Sequence, residues 1–167
     1  MSNLTGRTII EALEFAGIEY VLSVPDITTS ENVLKPLMEV SPIKVIQVCK
    51  EDAGISIAAG LYATKKKSVV LIQHTGLLDS INCLRAVSME IQNPTVLLVG
   101  LLRHEPGIQP RDSTRYGVQI ITPILDSMNV PYSYIEKNGD EQKIATIIEN
   151  CYKTCQPHVI LIGGEPS

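Results

Sequence analysis

With 167 residues, 44% of them hydrophobic, the chain is long enough for one domain with a substantial core, and no internal repeat, low-complexity run or Pro/Gly-rich linker divides it. A formal charge of −4, with no basic stripe and no aromatic platform, argues against a nucleic-acid partner. No apolar run approaches the roughly 20 residues of a membrane span, and the N-terminal Met-Ser-Asn-Leu-Thr-Gly-Arg-Thr lacks the apolar stretch of a signal peptide, so a soluble, cytoplasmic protein is expected. The cysteines at 49, 83, 151 and 155 lack Cys-x-x-Cys spacing and read as reduced and structural, with Cys151 and Cys155 on one predicted helical face.

In chain order, Ile9, Ile10, Leu13, Phe15 and Ala16 recur at helical spacing and predict a helix over Thr5 to Ala16, stopped by Gly17. Tyr20 to Val24 predicts an apolar strand, and Pro25-Asp26 with Thr28, Thr29 and Ser30 predicts a loop capping a helix that runs to about Met38. Ile43 to Val48 predicts a second, buried strand, and the helix formers from Asp52 onward put Glu51 at the seam between strand and helix. Along that helix Ala53, Ser56, Gly60 and Ala63 make a stripe of small residues, a face suited to burial against a neighbour. Lys65 to Lys67 read as a solvated turn. Ser68 to Gln73 predicts a third strand, followed by a helix from about Leu78 to Ile91 and a fourth strand over Thr95 to Gly100. A polar loop from Leu102 to about Tyr116 is long enough for a gating role, and a helix to about Met128 follows it. Pro131 to Ile135 and His158 to Ile162 complete the strand set, with a helix over Asp140 to Thr154 between them.

Short, near-continuous apolar strands alternating with helices predict an α/β fold: a single domain with an open, mainly parallel six-stranded sheet covered by helices on both faces. Ligands of such sheets bind outside the carboxyl ends of the strands. That edge collects Pro25-Asp26, Cys49-Lys50-Glu51, His74-Thr75-Gly76 and Arg103-His104. No Gly-x-Gly-x-x-Gly follows the first strand and no Walker-type loop occurs, which disfavours the familiar routes to nucleotide binding. The histidines at 74, 104 and 158 are not at metal-ligand spacing. His158 heads a strand and reads as structural, whereas His74 leaves a buried strand on the ligand edge. By spacing alone, Glu51 reads equally well as a first-turn acid favoured by the helix dipole.

Val-Pro-Asp after the first strand, Lys-Glu-Asp-Ala-Gly-Ile-Ser-Ile-Ala-Ala-Gly after the second and Gln-His-Thr-Gly-Leu-Leu-Asp-Ser-Ile-Asn after the third are similar to the pyrimidine-binding module of thiamine-diphosphate decarboxylases. The resemblance runs over nearly the whole chain. Where that family reads Gln-Asn-Ser-Gly-Leu-Gly-Asn, this chain carries His74, Leu78 and Asp79 in place of Asn, Gly and Asn. The resemblance implies that Glu51 hydrogen-bonds N1′ of the cofactor's aminopyrimidine and acts as a proton relay, while His74, from its place on the ligand edge, is a second candidate catalytic residue. It implies Pro25, Asp26, Gln73, Thr75 and Gly76 as further cofactor contacts. His74, Thr75, Arg103, His104, Arg111 and Arg115 are the candidates for substrate contact, since fork-like guanidinium groups suit oxyanions, although arginines in a polar loop also read as solvated surface. The expected substrate is a small anionic 2-oxoacid such as sulfopyruvate or phosphonopyruvate. The implied cofactors are thiamine diphosphate and Mg²⁺. The family holds the diphosphate and Mg²⁺ in a module bearing Gly-Asp-Gly, which this chain lacks, so the resemblance implies a beta subunit supplying that module in a hetero-oligomer, with no metal site on this chain. A non-catalytic regulatory or scaffold subunit and a carboligating synthase of the same cofactor class stay open.

Overall fold

The computed structural model describes residues 4–167. Six strands, β1 (Tyr20–Ser23), β2 (Lys44–Gln47), β3 (Ser68–Gln73), β4 (Val96–Gly100), β5 (Tyr132–Ile135) and β6 (His158–Ile162), form one sheet in the order β2-β1-β3-β4-β6-β5. Every pairing is parallel, with Val21 opposite Val45 and Val69, and Leu71 opposite Leu98. The central strands are continuously apolar because helices cover both faces. Val69 and Leu71 face a layer built from α1 (Gly6–Phe15), α2 (Lys35–Val40) and α8 (Gln142–Thr154), where Ile9, Leu13, Leu37 and Ile148 are buried. Val70 and Ile72 face the opposite layer, α3 (Glu51–Ala63), α4 (His74–Asp79), α5 (Ile81–Cys83), α6 (Tyr116–Gln119) and α7 (Ile121–Met128), which buries Ile55, Leu77, Leu84 and Leu125.

Local signals account for most boundaries. The Thr5 hydroxyl caps α1 by accepting from the Thr8 N–H, and Gly17, at φ 74°, ends it in the left-handed conformation that glycine adopts without strain. Other boundaries differ from the sequence expectation. The helix after β3 begins at His74 rather than Leu78: Gln73 is extended at the cap position, and the chain turns directly from strand into helix. This helix breaks at Ser80, resumes as α5, and continues as a π-helical segment over Leu84–Glu90. A second π-helical turn, Ser30–Leu34, leads into α2, which runs past Met38 to Val40.

Three packing expectations also change. β2 is an edge strand, exposed at Lys44 and Gln47 and half-buried between them, rather than a buried one. α3 faces the sheet with Gly54, Ile55 and Ala58, so Ser56, Gly60 and Ala63 of the small-residue stripe are exposed and Ala53 half-buried. Cys155 lies beyond α8 as its left-handed cap instead of sharing a helical face with Cys151. All four cysteines are free thiols. Burial pushes the Cys151 thiol up to about 12, and its S–H donates to the Gln156 carbonyl at 2.7 Å. Among the described residues no helix is long and apolar enough to cross a membrane.

Candidate active site

The chain leaves β1 toward β2 and leaves β3 toward β4, in opposite directions along the sheet, so a crevice opens above the carboxyl ends of β1 and β3. A cleft of about 330 Å³ occupies it. The β1 exit contributes Val24, Pro25, Asp26 and Ile27, and the following turn contributes Ser30; Glu51, Gln73 and Thr75 line the rest. Gly100, at the end of β4, lets that turn lie close, since a Cβ there would fall 2.8 Å from Thr28 Cβ and 3.2 Å from Thr29 Cγ2.

Within the cleft the polar groups are unequally engaged. Asp26 caps its own turn: Oδ1 accepts from the N–H groups of Thr28 at 2.5 Å and Thr29 at 2.8 Å, and Oδ2 accepts from the Thr29 hydroxyl. Gln73 Oε1 accepts from the Thr75 hydroxyl at 2.9 Å. Glu51, the first residue of α3, has no side-chain hydrogen bond or ion pair among the described residues. Its side chain lies across the backbone of Gly76, where a Cβ would overlap its Cγ, Cδ and Oε1. Lys50 bridges Asp52 at 3.4 Å and Asp79 at 3.3 Å, tying the start of α3 to the end of α4. The structure thus gives Asp79, one of the departures from the family pattern, a partner in Lys50.

His74 and Gly76 are not part of the cleft wall. The His74 ring is buried, its Nδ1 accepts from the Leu102 N–H at 3.3 Å, and Nε2 lies against Gly117. Burial lowers its pKa, so the ring is neutral at pH 7. His74 therefore touches the loop after β4, which it helps to seat. The four candidates from that loop also lie off the cleft. The side chain of His104, a candidate for substrate contact, is fully buried, with Nε2 3.2 Å from the Ile108 carbonyl and 3.1 Å from the Tyr134 hydroxyl. Arg111 is engaged by Asp126 at 3.0 Å. Arg103 and Arg115 are exposed and have no side-chain partner among the described residues. Nor is the loop loosely held. Glu105 accepts from the Ser113 hydroxyl at 2.6 Å and from the N–H and hydroxyl of Thr114, which hold its carboxyl down at about 2.

The sequence reading missed Val24, Ile27 and Ser30. A signal for Ile27 was present, as an apolar residue alone in a polar turn; it is 70% exposed. Taken together, an apolar wall of Val24, Pro25 and Ile27, a carboxylate without a partner and an amide edge fit a flat nitrogen heterocycle with hydrogen-bonding edges. Among the described residues no cluster of His, Cys, Asp or Glu could hold a metal ion, and no Lys or Arg lines the cleft.

Comparison with known proteins agrees with this geometry. Residues 4–106 match the family described as thiamine pyrophosphate enzyme, N-terminal TPP binding domain. The sulfopyruvate decarboxylase subunit alpha of Methanocaldococcus jannaschii is 33% identical over 93% of this chain and 91% of its own length. A protein of Methanosarcina acetivorans named sulfopyruvate decarboxylase is 25% identical over 93% of this chain, which spans 39% of that longer polypeptide. Among solved structures, benzoylformate decarboxylase from Polynucleobacter necessarius shares the fold at a TM-score of 0.70 and 18% identity, over 95% of this chain and 30% of that one. A parallel sheet with a heterocycle-sized cleft at its switch point, a carboxylate at the head of α3 and these relatives lead to one conclusion: the chain belongs to the thiamine pyrophosphate enzymes and carries their N-terminal TPP binding domain.

Proposed function

We propose that this chain is the pyrimidine-binding subunit of a thiamine-diphosphate-dependent decarboxylase that converts a small anionic 2-oxoacid to an aldehyde and CO₂. The observation that carries the proposal is Glu51, a carboxylate with no partner among the described residues, lining the cleft at the strand ends. Bound thiamine diphosphate supplies the electron sink that lets a 2-oxoacid lose CO₂. Glu51 holds the proton shared with N1′ of the aminopyrimidine, which makes it the acid–base group of cofactor activation. Val24, Pro25 and Ile27 would hold the ring and keep water from it, while Gln73 and Thr75 would offer the polar edge. His74 positions the loop after β4 through Leu102, and that loop carries Arg103 and Arg115 with their guanidinium groups unengaged within the described residues. These two arginines are the readers of the substrate's anionic groups.

Sulfopyruvate is the substrate favoured by the names of the relatives, with phosphonopyruvate as the alternative anion. The relatives named as alpha subunits support a partner chain, here assigned the Gly-Asp-Gly module that binds the diphosphate and Mg²⁺, in a soluble cytoplasmic hetero-oligomer. The test is cofactor-dependent CO₂ release by the chain with its partner subunit over sulfopyruvate, phosphonopyruvate and pyruvate. Glu51→Gln is expected to lower kcat by about 10²–10⁴-fold. Undiminished turnover by that variant would overturn the assignment.

A further inference from the structure

Gly76 occupies the third position of α4, where glycine is a poor choice for the backbone. Positive φ does not explain it, for the glycines with positive φ among the described residues are Gly17, Gly107 and Gly139. What the position requires is space. A Cβ on Gly76 would overlap Cγ, Cδ and Oε1 of Glu51. Elsewhere in the same helical layer Gly60 would meet nothing within 4 Å, so close approach is a property of this site and not of helical glycines in general.

The contact joins two segments that follow different strands. Glu51 follows β2 and Gly76 follows β3, and β1 lies between those strands. α3 lies over β1 and β3, with Gly54 packed on Leu22 and Val70, so Glu51 at its head stands beside α4 and lines the cleft at the exit of β1. No hydrogen bond to the carboxylate fixes its place among the described residues, so the surface of α4 is what limits its reach. We infer that Gly76 is a positioning residue for Glu51: by presenting no side chain, it seats the carboxyl against the first turn of α4 and sets how far the acid extends into the cleft. This assigns Gly76 a contact with Glu51 where a direct contact with the cofactor was expected, and it rests on Glu51 being the activating acid. The obstructed atoms belong to the far end of a flexible side chain, so a methyl group at position 76 displaces the acid while the backbone stays in place.

The test uses the chain assembled with its partner subunit and reads both turnover and melting. Gly76→Ala is expected to lower kcat by about 10²-fold, as a misplacement of the order of an ångström does, with KM within a factor of about two. The melting cycle pairs Gly76→Ala with Glu51→Ala. With Glu51 present, Gly76→Ala lowers the Tm; in the Glu51→Ala background the clash is gone, alanine is the better helix former, and the same change raises the Tm by about 2 °C. Equal melting shifts in the two backgrounds, or full turnover by Gly76→Ala, would overturn the inference. If Glu51→Gln keeps its turnover, the activation role fails, whereas the sign change in melting still reports the steric coupling.

Discussion

Two adjacent side chains, His104 and Glu105, hold the loop after β4 by different chemistry. His104 does so through burial and the Ile108 carbonyl, and Glu105 does so through charge. The Ser113 hydroxyl and Thr114 keep the folded Glu105 carboxyl at about 2, below the roughly 4.3 of an unfolded glutamate. A depressed folded pKa contributes stability above the unfolded value, and that contribution is lost as the pH falls from about 4.3 toward 2. Amide protection factors across 105–115, corrected for the intrinsic rate at each pH, should therefore fall as the pH drops through this window, and Glu105→Gln should show the lower protection already at pH 7. At this scale the sequence was legible where one residue and its immediate neighbours suffice: a strand, then Glu51, then a helix. It was not legible where the partner is remote. The N–H that His74 accepts from belongs to Leu102, 28 residues on, and Tyr134, which faces His104, lies 30 residues on. An Arg-His pair in a polar loop gives no local sign of a buried ring.

At the scale of elements, the cleft wall depends on how the β1 exit rests on β4. Gly100→Ala places a methyl group against Thr28 and Thr29, beside the turn that Asp26 caps. Overpacking of this kind costs about 1–3 kcal/mol, and the displaced turn takes Pro25 and Ile27 with it. Thermal unfolding should show the loss of stability, and titration of the partnered chain with thiamine diphosphate should show a raised Kd. The central strands were legible because burial on both faces leaves apolar runs such as Val69 to Ile72. The onset of α4 was not, because His74, Thr75 and Gly76 carry no helical repeat of apolar residues. The π-helical segments were not either, since the apolar spacing of Leu84 to Glu90 does not distinguish an added residue per turn from an ordinary helix.

At the scale of the molecule, the cleft presents an apolar group to solvent, Ile27, which is 70% exposed. Calorimetric titration with thiamine diphosphate and Mg²⁺ should give tight binding to the chain with its partner subunit and weak or unmeasurable binding to the chain alone; equal affinity in both would place the whole cofactor site on this chain.

Glu51 opens the helix that follows β2, and β2 borders the sheet on one side, held by β1 alone. Edges are the first parts of a sheet to open, at a free energy below that of global unfolding. The acid proposed to start the reaction thus follows directly on an edge strand, while the apolar interior of β3 and β4 lies two and three strands inward. Warming should silence this enzyme before it melts: activity is expected to fade at temperatures where Val45 to Gln47 already exchange their amide protons and Val69 to Ile72 still keep theirs. Its working range would then be set by the fraying of one margin and not by the strength of its core.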